Sequence, residues 1–148
     1  MSTDAWCTEQ LIADRLPNHM AFLTDAGDEA AQDAALQNIM ESATQRARSL
    51  LRARYPLLIP SWDAGAYPPE VADAVADIAV WRIVSRRMNP TTGAGAGDAS
   101  STWYVNNKAA SKFLEGVRDG KNHVTTATPQ DTQRMRASLA LPNVNSVF

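Results

Sequence analysis

The spacing of apolar residues along the chain predicts helices rather than strands. Thr8 stands before a short run in which Leu11, Ile12 and Leu16 share one side. Pro17 forbids continuation, so a capped helix is expected over residues 8–16. The segment PNHMAFLTDAG reads as a loop, with Phe22 and Leu23 expected to dock on the core. From residue 28 the pattern lengthens. Leu36, Ile39, Met40, Ala43, Ala47, Leu50 and Leu51 recur at three- and four-residue steps, one apolar stripe on a helix over residues 28–55. Asp25, Asp28, Glu29 and Asp33 crowd its start, where carboxylates favour the positive end of the helix dipole.

Pro56 and Pro60 end that helix, and Leu57, Leu58 and Ile59 are expected to form an extended apolar crossing. SWDAGAYPP predicts a turn, and Pro68-Pro69 presets the next helix. Val71, Val75, Ile78, Ala79 and Trp81 are its expected buried face, and Asn89-Pro90 closes it. The Gly/Ala/Ser/Thr stretch over residues 91–102 has no apolar anchor and reads as a flexible loop. Another helix is expected over residues 105–116, with Val105, Ala109, Phe113 and Val117 inward and Gly120 ending it. Beyond it the chain is polar and threonine-rich, and Met135, Leu139, Leu141, Val144 and Phe148 are too scattered to build a core. The expected architecture is all-α. A small helical bundle of a short N-terminal helix, a long amphipathic helix and two further helices occupies residues 1–120, and an extended arm occupies residues 121–148.

Size changes this picture little: 148 residues suit one domain, enough to bury roughly 70% of the unfolded surface. Charge changes it more. The net charge of −2 gives no global basic field. Yet residues 1–41 hold eight acids (Asp4, Glu9, Asp14, Asp25, Asp28, Glu29, Asp33, Glu41) against one base, Arg15. Arginines then cluster at Arg46, Arg48, Arg52 and Arg54, and again at Arg82, Arg86 and Arg87. At ~100° per residue Arg48 and Arg52 fall opposite the apolar stripe, whereas Arg54 falls on it. Arg82 falls near the centre of the next helix's buried face, with Asp73 and Asp77 to one side. Arg54 and Arg82 are therefore expected to be paired core arginines joining the two helices, and Arg86 and Arg87 to point outward. Such dipolar charging suits head-to-tail contact between copies.

Catalytic chemistry finds no foothold. The lone Cys7 excludes an internal disulfide and fits a reducing compartment. No apolar run approaches the ~20 residues that span a bilayer, and MSTDAWCTEQ lacks the features of a signal peptide. A soluble, unexported chain is expected. The Gly93–Gly97 run has no preceding strand, no GK[ST] and no third glycine, since Asp98 stands in that place. His19 and His123 are isolated, and a single cysteine leaves no zinc spacing. Residues 25–29 lack the alternating ligands of an EF-hand and read as helix capping. No enzyme, cofactor or metal is expected.

The pattern has a relative. Ala53-Arg54-Tyr55-Pro56-Leu57, a proline-containing crossing, Pro69-Glu70-Val71, then Asp77-Ile78-Ala79, Trp81-Arg82 and a basic close at Arg86-Arg87 resemble the head–tail connector proteins of tailed phages. The likeness is closest to the short Mu-like adaptor type. Leu23-Thr24-Asp25 and the Ala109, Phe113-Leu114, Val117, Gly120 series also fit, and the resemblance covers residues 8–121. It departs from the short members in the loop over residues 91–102 and in the long C-terminal arm.

The resemblance implies an all-helical adaptor in the virion neck, made in the host cytoplasm and assembled as a twelvefold ring beneath the portal protein. That ring completes the head, lets genomic DNA pass without sequence recognition, and offers a surface to a stopper or tail-completion protein. No membrane is involved. Arg48, Arg52, Arg86 and Arg87 are the expected subunit or portal contacts, and Leu139, Leu141 and Phe148 anchor the arm, which in related adaptors embraces the portal. The alternative is a small helical DNA-binding regulator using the exposed arginines. Against it, the crossing over residues 56–69 is far longer than a helix-turn-helix linker.

Overall fold

In the computed structural model of the chain, residues 5–86 and 102–124 are described. Residues 1–4, residues 87–101, with Arg87 and most of the expected loop, and residues 125–148, with Leu139, Leu141, Phe148 and the expected arm, lie outside them. The described residues form helices and connecting turns, with no strand among them. The expected all-α bundle is what is found.

Helix α1 (Glu9–Arg15) starts where Thr8 Oγ1 accepts the Leu11 amide at 3.3 Å, and stops before Pro17. The expected loop after it is instead a 3₁₀ helix over His19–Ala26, which seats Leu23 fully in the core and Phe22 at its edge. Short i→i+3 turns of this kind close their own hydrogen bonds locally, so polar-apolar mixtures without a 3.6 period adopt them. Helix α2 (Glu29–Leu51) opens on Asp28, whose Oδ1 accepts the Ala31 amide at 2.9 Å. Its buried positions are Leu36, Met40, Ala43, Thr44, Ala47 and Leu51. Ile39 and Leu50 flank that stripe, half-buried.

The crossing is a turn leading into a short helix rather than extended. Tyr55 and Leu58 are buried, α3 (Ile59–Ser61) carries Pro60 in its first turn, and a π-type turn over Trp62–Ala66 follows. A first helical turn needs no amide donor, so Pro60 there is compatible with helix. Leu57 points out and is 82% exposed. Gly65, at φ +107°, ends the turn in a conformation that side-chain-bearing residues avoid.

Helix α4 (Pro69–Ser85) is the centre of the molecule. Residues Val71, Ala72, Ala74, Val75, Ala76, Ile78, Ala79, Val80, Ile83 and Val84 are all buried, so it has no single apolar face. It packs on α5, α2, α1 and the 3₁₀ helix, and a helix with neighbours on most sides is apolar over most of its surface, leaving the stripe of Glu70, Asp73, Asp77 and Trp81 partly exposed. Trp81 and Arg82, expected inside, sit at its margin.

Helix α5 (Thr102–Arg118) begins three residues earlier than expected and buries Ala110, Leu114, Gly116 and Val117. Val105 and Ala109 are exposed, a correction to the inward register. Its end follows the expected glycine. Gly120 takes φ +81°, and the Lys121 and Asn122 amides both donate to Gly116 O at 2.7 and 3.0 Å. The chain then turns back, and Val124 joins the core.

Candidate interaction surface

Most of the charge that the sequence offers for contacts is taken up inside the protomer. The clearest case joins three segments. Trp6 is wholly buried; its amide donates to Thr44 Oγ1 and its indole Nε1 to Asp63 Oδ1, both at 2.9 Å. Arg48 donates to the same carboxylate and lies over the Trp6 ring, 5.6 Å from its centroid. Trp6 meets Trp62 edge-on at 5.3 Å, and Trp62 meets Tyr55 at 5.6 Å. Buried aromatic and cation–π contacts of this kind each add about 0.5–2 kcal/mol to area burial. Arg48, expected on the outward face, is thus inside, with 14% of its side chain exposed. The correction is physical: the N-terminal segment lays Trp6 over that flank of α2 and covers it.

A second clamp fixes α1 to α4. Arg15 Nε donates to Asp77 Oδ1 at 2.7 Å, its NH2 to Asp73 Oδ1 at 3.0 Å, and its NH1 to Leu11 O at 3.1 Å. Burial pushes the Asp77 carboxyl above the usual range, Arg15 pulls the other way, and the nearby Asp73 charge adds to the rise. A third contact, Arg86 NH2 to Asp25 Oδ2 at 2.7 Å, ties the end of α4 to the 3₁₀ helix on the surface. Buried His19 pairs through Nε2 with Glu9 at 3.1 Å.

The two arginines expected to join helices as a core pair do not meet. Arg54 is half-buried over the Tyr55 ring, with its guanidinium against Gly120. No carboxylate among the described residues pairs with it; its charge sits at the negative end of the α5 dipole instead. Arg82 reaches across to α2 and donates to Ser42.

Two charged patches border α2. One carries exposed Arg46 beside Arg82, with exposed Arg52 further along; among the described residues none of the three has a carboxylate partner. Burial and the Arg46 charge hold the Arg82 guanidinium below its ordinary value. The other flank is a groove of about 670 Å³ between α1 and α2, lined by Glu9, Asp33, Leu36, Gln37, Met40 and Glu41 among others. Sequence reading places Arg52 outward but puts Arg82 in the core, and it misses the groove, whose walls come from two helices.

No cluster of three potential metal ligands occurs among the described residues, and no described helix is long and apolar enough to cross a membrane. Burial raises the Cys7 thiol to about 12, which keeps it protonated and unreactive. The arrangement is one of packed helices with charged flanks, suited to contact.

Comparison with known proteins agrees with that character. No curated protein and no solved structure matches the chain. The sequence profile of the family described as Bacteriophage Mu, Gp36 matches residues 6–140, nearly the whole length, and takes in the Trp6 lock, both flanks of α2 and all of α4 and α5. The chain belongs to the Bacteriophage Mu Gp36 family.

Proposed function

We propose that this protein is a structural head–tail connector of a tailed bacteriophage. Its copies form a ring on the portal protein, complete the DNA-filled head, and present a docking surface to a stopper or tail-completion protein. Genomic DNA passes through without sequence recognition, and the protein performs no chemistry. The neck of the virion is its place, after synthesis in the host cytoplasm.

The family match over residues 6–140 carries this reading. Two features of the fold support it. The protomer is stiffened by long-range locks, Trp6–Asp63 and Arg15–Asp77, rather than organised around a reactive cleft. Opposite charges gather on two sides of α2, Arg46 and Arg82 on one and Asp33 and Glu41 on the other, which suits repeated contact with like subunits. Antibody labelling and electron microscopy of purified virions test it. The label is expected at the vertex joining head and tail, and its absence from intact particles rejects the proposal.

A further inference from the structure

We propose that α2 carries both halves of one interface between copies: the acidic groove along α1 receives the Arg46–Arg82 edge of the next copy. This rests on the ring-forming reading above and names the surfaces that would close the ring.

The argument starts from position around one helix. Gln37 lies mid-groove and Arg46 nine residues on. Nine steps of ~100° carry the chain half a turn past whole turns, so groove and arginine edge lie on opposite sides of α2, displaced by ~13 Å along it. Complementary patches on opposite sides of a protomer cannot satisfy each other within it. They generate head-to-tail contacts, which close into a ring when the rotation between copies permits.

Each patch is also incomplete alone. Asp33 is exposed at the groove; Glu41, half-exposed, accepts among the described residues only a long 3.4 Å bond from Gln37 Nε2; and the floor of Leu36 and Met40 is only 4% and 6% exposed. Glu9 closes the far wall and is only partly engaged, through His19. Across the helix, Arg82 leans on Ser42 with Arg46 beside it, two like charges with no carboxylate between them among the described residues. Guanidinium donors beyond the single Ser42 bond are available to a carboxylate brought from outside. The chain supplies such carboxylates in the groove. The occupant that fits is therefore a second copy, and the contact should weaken as salt screens it.

Charge reversal with mixing tests this on the full chain. Asp33→Arg and Arg46→Glu both lie on exposed helix positions, so each variant should keep the wild-type helical content and melting behaviour. In sedimentation velocity and native mass spectrometry over a concentration series at low salt, each variant alone should self-associate roughly tenfold more weakly than wild type, or worse. An equimolar mixture should recover oligomers containing both masses, because the reversed groove of one variant now meets the reversed edge of the other. Wild type that stays monomeric throughout, or oligomers indifferent to both reversals, overturns the α2 assignment. A virion label at the neck would survive either result, so the two proposals fail separately. If Arg46→Glu alone is damaging, Asp33→Arg is silent, and only the former abolishes a DNA gel shift, the arginine edge serves phosphate and the proposal is wrong.

Discussion

Arg15 shows what a single side chain settles in this protein. It is the one base among the first 41 residues, and its donors go to Asp77, Asp73 and the Leu11 carbonyl. Asp77 is already held above the ordinary carboxylate range by burial, with Arg15 opposing the rise. Arg15→Ala removes that opposition and should raise the Asp77 carboxyl further. An acid whose folded pKa exceeds its unfolded value, ~3.9 for Asp, gives stability that is present below the unfolded value and lost as pH climbs through the folded one. The variant should therefore lose about 1–3 kcal/mol at neutral pH and regain part of it on acidification. Urea unfolding of both proteins at neutral and mildly acidic pH checks this, and an equal deficit at both would exclude Asp77 as the cause. None of this pairing is visible in sequence, where Arg15 lies 58 and 62 residues from its partners. The helical count misplaced Arg48 and Arg82 for the same reason. It knows the angle about one helix and not what the next segment covers.

The elements were legible wherever a local signal sufficed. Thr8 and Asp28 cap α1 and α2, proline ends what it must end, and the α2 stripe is buried as its period requires. The signal failed where two readings share one spacing. Val105, Ala109 and Phe113 recur every four residues, but so do Ala110 and Leu114, and the helix that begins at Thr102 turns the second set inward. Across residues 57–61, Pro60 signals a helix break by sequence, yet it suits a first turn. At the end of α5 the fold sets a stricter demand. Gly116 lies beneath Asn122, whose side chain a Cβ there would overlap, while Asn122 Nδ2 donates to Phe113 O at 3.3 Å. Gly116→Ala should displace that cap, and the lost bond should offset most of the roughly 1 kcal/mol of helix propensity gained. In Asn122→Ala the same alanine should stabilise by about that propensity. A thermal-melt double-mutant cycle measures the coupling, and additive effects would show that the cap does not set the glycine.

At the scale of the whole molecule, one core runs from Trp6 to Val124 through α4, against which α1, α2, α5 and the 3₁₀ helix pack. The expected division at residue 120 would cut through the turn that places Asn122 and Val124 on that core. A chain ending after Val124 should therefore melt with the full-length protein, while losing capture by the portal protein if the C-terminal segment anchors there. Differential scanning and a pull-down report the two halves separately; a truncated chain that still binds portal removes that role from residues 125–148.

The N-terminal end of this core has a consequence in time rather than energy. Cys7, the only thiol, is buried beside Trp6, and a reagent reaches it only when that segment lifts from α2 and the π-type turn. Labelling then proceeds at the thiol's intrinsic rate multiplied by the fraction of time the segment stands open. The chain carries its own stopwatch for the Trp6 lock, and Asp63→Ala should make it run faster than a substitution on the exposed face of α5 such as Lys112→Ala.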